Sequence, residues 1–450
     1  MFIRVLYQGL AVTHTASTWL RRRFTGAGLL VVTGLGVSAV MGVDTDLTMA
    51  YQVFTLLLSL LLVSLASCPF FRASLAVRRA LPRFGSVGQP LPYRLRVRNT
   101  GARTLRGLEL LEDIQEARPS LEEFVVTPVP RAAVPNWFDR HLGYRRWRWL
   151  MTQREPRVRG EPTLPVLPPN GEAEIQRELL PVCRGHVRFA GVTAARPDPL
   201  GLVRSFVRIP LPQSVLILPK RYLLPALQLP GSRTYHYGRV TMASSVGDSE
   251  EFVALRDYRP GDPLRRIHWK SFARVGKPVV KEFQEEFFVR HALVLDTFLR
   301  PEHGNVFEEA ISVAASFVCT VQTQESLLDL MFVGPKAYCL TAGRGQGQTD
   351  HLLETLASIQ ACRDKPFHTL SRLVTERHAS LSGCICVLLS WEADRREFVD
   401  RLRRLGVPTL VCVVTDPALP RNPTVHPGEE RHPWLHCLEA GKIAEGLARL

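Results

Sequence analysis

The chain has no CxxC pair, no glycine-rich phosphate loop and no GxSxG elbow anywhere in its 450 residues. Each absence removes a class. Without paired cysteines, the nine Cys build neither a zinc ribbon nor a thioredoxin-like motif. Most lie in apolar runs, "GCICVLLS" (Cys384, Cys386) and "TLVCVV" (Cys412), and read as small core residues of a reducing compartment. Without a Walker loop a P-loop NTPase is excluded. Without an elbow or a local Cys-His signature, no nucleophile stands beside a base, and the reading is of a non-enzyme. Acid is also scarce: 57 Lys and Arg face 42 Asp and Glu, a net charge of +15. That surplus fits nucleic acid, an anionic membrane face or an acidic protein. Base-specific readout needs a recognisable module and none is present, so no specific nucleic acid is expected.

Charge is missing altogether from "FTGAGLLVVTGLGVSAVMGV", Phe24–Val43, 20 residues long. At 1.5 Å per residue this matches the ~30 Å hydrocarbon thickness of a bilayer. A second apolar run, Leu47–Ser67, follows after only "DTD". The pair predicts a transmembrane helical hairpin over residues 24–71, with spans 24–43 and 47–67. Arg21, Arg22 and Arg23 flank its entry, Arg72, Arg78 and Arg79 its exit, and Asp44 and Asp46 its tip. By the positive-inside rule, segment 1–23 and everything after the hairpin are cytoplasmic. A cleaved signal peptide lacks a small-residue cleavage site in "MGVDTD". The Arg21–Phe24 stretch resembles a twin-arginine export signal, but the second, longer span argues against export. A buried soluble hairpin is the remaining alternative.

Residues 85–220 read as a β-sandwich-like domain. Tyr93, Leu95 and Val97 alternate with Arg94, Arg96 and Arg98, the period of a half-buried strand. Further strands are expected in "GHVRFAGVTAA", "GLVRSFVRI" and "QSVLILP", with "PDPLG" as a turn. Inside this region Trp137, Tyr144, Trp147 and Trp149 are interleaved with arginines. Such a segment stacks on single-stranded nucleic acid, lies near anionic headgroups, or packs its tryptophans on the sandwich. Residues 221–287 read as a linker. From 288 to 450, apolar strands alternate with amphipathic helices, one of which places Val306, Ala310, Val313, Ala314 and Phe317 on one face. That is a parallel α/β sheet covered on both faces. Ligands of such sheets sit at the carboxyl ends of the strands, which here points to Asp296 and Ser390.

Within the linker, "RDYRPGDPLRRIHWKSFARVGKPVVKEF" (256–283) is densely cationic. Asp262 followed by Pro263 predicts a helix start, and Gly276 a stop. A helix between them would align Arg266, Lys270 and Arg274 in one stripe and set Arg265 beside Trp269. The stretch resembles the hallmark of the family called domain of unknown function 58 (DUF58), at Arg256, Tyr258, Gly261, Asp262, Arg265, Ile267, Trp269, Ala273 and Arg274. "RGHVRFAGVTAARPDPLGLVRS" is similar to the stretch that precedes that hallmark. The resemblance implies a bacterial inner-membrane protein with a β-domain and a von Willebrand factor A-like α/β domain. It also implies an encoding beside MoxR-type AAA+ ATPases, sometimes with transglutaminase-like membrane proteins, and a role in protein assembly or maturation.

Metal chemistry finds little support. A von Willebrand A-type site needs hydroxyls two and four residues after the strand-end Asp. After Asp296 those positions hold Phe298 and Arg300. Asp296, Thr297 and Glu302 are the remaining ligand candidates. His432, His436 and Cys437 are a weak zinc set interrupted by Pro433, and His268 near Asp257 and Asp262 is a weak general base. No cofactor is expected. The function expected is a membrane-anchored, non-catalytic scaffold or adaptor for protein partners, a MoxR-type AAA+ ATPase first among them. The alternatives are metal-dependent binding and an anionic-surface or nucleic-acid binder acting through the Arg-rich segments. Arg265, Asp262 and Arg274 could equally do no more than staple the helix in place.

Overall fold

The structure is a computed structural model. It describes residues 2–41, 48–126, 143–225, 250–262, 264, 267–285, 289–298, 304–322, 327–343, 346–416 and 432–450. The chain divides into two compact units, Met1–Lys220 and Arg221–Leu450.

The first unit opens with three helices: α1 (Phe2–Arg23), α2 (Gly26–Met41) and α3 (Thr48–Ser67). The uncharged run beginning at Phe24 is not all helix. Phe24 forms an antiparallel bridge with Val203, and the Thr25 N–H donates to the Leu202 carbonyl at 3.0 Å. That leaves α2 with 16 residues, ~24 Å long, which is short of the hydrocarbon thickness. Among the described residues one helix, Met49–Phe70, is long and apolar enough to cross a membrane. Expected segment 1–23, left without structure by the sequence, is the helix α1.

Eight strands follow: β1 (Leu75–Ala80), β2 (Phe84–Ser86), β3 (Leu91–Asn99), β4 (Glu109–Ile114), β5 (Arg157–Arg159), β6 (Glu172–Leu180), β7 (Gly185–Pro197) and β8 (Arg204–Leu218). They make two four-stranded sheets, β1-β3-β6-β5 and β2-β8-β7-β4. Leu95, Val97 and Leu179 from one sheet share a core with Leu110, Val192 and Ile217 from the other. The sandwich therefore begins at Leu75, ten residues before the expected 85. β1 escaped notice because it carries Arg79 inward. The Arg79 guanidinium is buried against the Glu112 carboxylate, which also accepts the Tyr93 hydroxyl at 3.1 Å. The alternation of β3 is as read: Tyr93, Leu95 and Val97 are buried, while Arg94, Arg96 and Arg98 face Glu172 and Glu174.

The "PDPLG" turn joins the sandwich to its helices. Asp198 accepts the Ser64 hydroxyl of α3 and the backbone N–H groups of Leu200, Leu202 and Val203 at 2.7–3.1 Å. Burial raises its pKa, but these hydrogen bonds together outweigh that and leave the carboxyl below its ordinary value. Two short helices, α4 (Leu121–Val126) and α5 (Tyr144–Thr152), complete the unit.

The second unit begins with a two-stranded antiparallel ribbon, β9 (Glu250–Asp257) with β10 (Val279–Glu285), and α6 (Trp269–Val275) lies between them in sequence. The strands β11 (Arg290–Leu295), β12 (Leu327–Val333), β13 (Ala337–Ala342), β14 (Gly383–Leu388), β15 (Thr409–Thr415) and β16 (Leu435–Glu439) form one sheet in the order β13-β12-β11-β14-β15-β16. Only β13 runs antiparallel. The helices are α7 (Gly304–Gln322), α8 (Gln346–Ser358), α9 (His368–Thr375), α10 (Ala393–Arg404) and α11 (Ile443–Leu447). Val306, Ala310, Val313, Ala314 and Phe317 of α7 are fully buried. Strand order reverses between β11 and β14, which makes their carboxyl ends the topological switch point where doubly wound folds bind ligands.

Candidate functional site

Two places in the second unit were marked by the sequence, and they are built in opposite ways. At the switch point, Asp296 follows β11 and is completely buried. Its Oδ1 accepts the Phe298 N–H at 2.9 Å. Its Oδ2 accepts the Leu389 N–H at 3.3 Å and the Arg395 Nε–H at 3.1 Å. Arg395, from the first turn of α10, is 7% exposed. It also donates to the Phe298 carbonyl, stands 3.6 Å from Glu392 and lies 4.6 Å over the Phe367 ring. The Thr297 hydroxyl is turned to the Val333 carbonyl. Where a hard cation would meet Asp296, a guanidinium already sits. Ser390 is nearby and buried; Glu302 and Arg300 lie outside the described residues.

Arg395 was missed in the sequence, although a signal existed. Arg395, Phe398, Val399 and Leu402 are the buried residues of α10, spaced i, i+3, i+4, i+7. An arginine on the apolar face of a helix is either an error of pattern or a buried partner.

The hallmark is arranged differently. The expected helix does not run unbroken from Asp262: Ile267 and His268 are not helical, and α6 starts at Trp269. Asp262 is taken instead by Arg256, whose two terminal nitrogens donate to its two oxygens at 2.7 Å each, and by the Arg259 N–H at 2.8 Å. The Arg256 guanidinium first, then the Arg259 N–H, bring the Asp262 carboxyl down to about 2. This loop is tied at three points to β10 and the residue before it. The Tyr258 N–H donates to the Pro278 carbonyl at 3.0 Å, Ile267 bridges Val280, and the His268 N–H donates to the Val279 carbonyl at 2.8 Å. Ile267 fills the space beneath and is buried. Gly261 (φ +108°) and Gly276 (φ +69°) hold backbone conformations that L side chains resist, the second as the left-handed cap of α6. His268 contacts Ser271 Oγ at 2.6 Å through Nδ1.

What this stapled loop presents outward is apolar and cationic. Trp269 and Val275 are each 63% exposed and Phe272 is 37% exposed. Trp269 and Phe272 meet edge to face, with centroids 6.0 Å apart. Lys270, Arg274 and Lys277 are exposed around them. Of the expected stripe, Lys270 and Arg274 share a face of α6, one turn apart. Arg265 and Arg266 lie outside the described residues, as does Pro263.

In the Trp/Arg segment of the first unit, the alternative that its tryptophans pack inward holds for Trp147, while Tyr144 is 41% exposed. Trp147 is fully buried, against Tyr7 and Leu10 of α1 and Phe124 of α4. It packs on helices, and its ring is closed to stacking with a base. Trp137 lies outside the described residues. A cavity of about 380 Å³ in this unit is lined by Thr18, Arg22, Glu112, Glu116, Glu155 and Arg177 among others, and among the described residues its lining includes no Ser, Cys or His. Of the weak zinc set, His432 stacks on Trp434. His436 and Cys437 are successive residues of β16 and so point to opposite faces.

Residues 254–407 match the family described as Protein of unknown function DUF58. That stretch runs from within β9 to just past α10, so it holds both the stapled loop and the Asp296–Arg395 pair. Uncharacterized protein YeaD of Bacillus subtilis (strain 168) is 27% identical over 188 residues, 40% of this chain and 44% of that protein. The matched region thus spans less than half of this relative. Among solved structures, the ASH / PapD-like domain of human CEP192 is 14% identical over 32% of this chain and 86% of its own, with a TM-score of 0.19. A GH20 exo-β-N-acetylglucosaminidase from Vibrio harveyi is 9% identical over 76% and 57%, with a TM-score of 0.15. At these TM-scores neither likeness bears on fold or function.

Proposed function

We propose that the chain is a membrane-anchored, non-catalytic adaptor whose β9–α6–β10 module docks a protein partner. The observation that carries this reading is the solvent-facing ridge of Trp269, Phe272 and Val275 amid Lys270, Arg274 and Lys277. Large aromatic side chains left in water on a rigid base are the usual anchors of an interface. The surrounding cations select an acidic rim and speed encounter with it. The stapling of the loop by Arg256 and Asp262 lowers the ordering entropy that docking would otherwise incur.

The doubly wound sheet supports reading residues 288–450 as von Willebrand factor A-like, with its ligand position closed by Arg395. The apolar helix Met49–Phe70 supports a membrane anchor; a second pass through the shorter α2, in a bacterial inner membrane with N-terminus and soluble parts cytoplasmic, is the reading that the arginine flanks favour. The DUF58 match favours a MoxR-type AAA+ ATPase as the partner. Metal-dependent binding is the weaker reading, because it needs Arg395 to withdraw from Asp296.

Detergent co-purification from native membranes tests the proposal, comparing wild type with Lys270→Glu/Arg274→Glu and identifying partners by mass spectrometry. The expected result is loss of an AAA+ ATPase from a variant with unchanged circular dichroism. An identical partner list from both proteins would retire the docking role of α6.

A further inference from the structure

We propose that α1 is an interfacial helix that lies along an anionic lipid surface, a second membrane contact besides the apolar helices. The inference rests on the anchored reading above. Its basis is the unused side of α1. One face packs inward: Leu10 is buried, and Leu6, Tyr7 and Ala11 pack with it against Phe124, Trp147, Leu150 and Met151. On the other side Val5, Gly9, Val12, Ala16 and Trp19 recur at i, i+4, i+7, i+11 and i+14, and all are exposed. Val5 is 61%, Val12 69% and Trp19 54% exposed. This is a continuous apolar stripe ~21 Å long on a helix already fixed by its opposite face.

Three further observations point to lipid as its cover. Residues 1–43 contain no Asp or Glu; Arg22 is paired with Asp113 and Arg23 lies over the Phe206 ring, which leaves the exposed Arg4 and Arg21, at the two ends of α1, to meet anionic headgroups. The helix runs directly into α2, separated only by Phe24 and Thr25, so it ends where the apolar segment enters. Trp19 sits at that junction, edge to face with Phe24 at 6.5 Å, as aromatic side chains do at the headgroup level. The cationic aromatic segment that sequence reading offered to the headgroups, α5, has Trp147 turned inward to hold α1 in place. The lipid-facing element is α1 itself.

The test uses the full chain reconstituted into phosphatidylcholine vesicles with and without phosphatidylglycerol. A photoreactive benzoylphenylalanine replaces Val12 in one sample and the exposed sandwich residue Glu172 in another. With phosphatidylglycerol present, about tenfold more lipid adduct is expected from position 12 than from position 172, falling when the anionic lipid is omitted. Lipid adduct no greater at 12 than at 172, from protein that stays with the vesicles after an alkaline wash, would overturn the inference and leave the anchor standing. Adduct to a second copy of the chain would also overturn it. Yield at 12 that ignores phosphatidylglycerol would overturn the anionic assignment. Protein that washes off the vesicles would remove the anchored reading, and this inference with it.

Discussion

Two aspartates of the second unit are each held by an arginine, and they do opposite things. Asp296 is wholly enclosed and Arg395 closes over it. Asp262 lies in an open loop, and its bidentate bond to Arg256 fixes that loop so that α6 can face solvent. The same pairing seals the position where the fold would bind a ligand and stiffens one where it could meet a partner. Burial decides which: a buried pair strengthens as the local dielectric falls, and becomes harmful once either member is lost. A part-exposed pair adds geometry more than stability.

The largest expected effect breaks the sealed pair. Arg395→Ala leaves the Asp296 carboxylate in the core without its cation, a loss of about 3–5 kcal/mol. Urea unfolding of the purified chain, followed by far-UV circular dichroism, measures it. Arg395→Met with Asp296→Leu replaces both charges by apolar groups and should recover most of that loss. A single variant as stable as wild type would mean that the Asp296 site is hydrated and open.

The next effect sharpens the sealed side along the same strand. His291 of β11 is 1% exposed, and its Nδ1 has no hydrogen-bond partner. Burial pushes its pKa down to about 4, from an ordinary 6.5. The folded chain therefore keeps this ring neutral while the unfolded chain protonates it. Stability contributed by the neutral ring is whole above pH 6.5 and drains away as pH falls toward 4, by up to about 3 kcal/mol. The urea midpoint of wild type should fall more steeply across this window than that of His291→Val. Parallel slopes would show that His291 takes up its proton in the folded state.

Sequence patterning saw the frame and misjudged its buried cations. The period of β3 and the apolar face of α7 were legible because leucine, valine and phenylalanine mark burial directly. Arg79, Arg177 and Arg395 are all buried; only Arg395 carries a local mark of it, its place on the apolar face of a helix, while the partners of the other two lie far along the chain. β1 was lost through the first and the closure of the switch point through the third. Asp262 was misread for a related reason. An Asp-Pro pair is a sound helix start, but among the described residues the Asp262 carboxylate is held by a guanidinium six residues earlier and by the Arg259 N–H. α1 went unread because its two apolar stripes lie on opposite faces and blur its amphipathic period.

A smaller effect addresses the open pair. Asp262→Asn keeps the shape of the side chain but removes its charge. It should leave the global unfolding midpoint close to wild type while the Tyr258 and His268 amides lose hydrogen-exchange protection. In wild type the same loosening should follow pH: the pKa is depressed, so the contribution is present above the ordinary 3.8 and is lost as pH falls toward about 2. Protection that persists in Asp262→Asn would show that the β10 contacts alone hold the loop.

The smallest effect on stability carries the most functional information. Trp269→Ala removes a side chain that is mostly in solvent, so the folded chain should change by no more than about 0.5 kcal/mol. If α6 is an interface anchor, the same change should weaken partner capture by about 2 kcal/mol, some thirtyfold in affinity. Lys270→Ala at the rim should cost far less affinity and act mainly on the association rate and its salt dependence. Binding kinetics at two ionic strengths separate the two. If Trp269→Ala unfolds the chain, the ring is packed against its own protein and the open side of the comparison collapses into the sealed one. If it changes neither stability nor capture, α6 is no interface anchor, and the open side of the comparison keeps only its geometry.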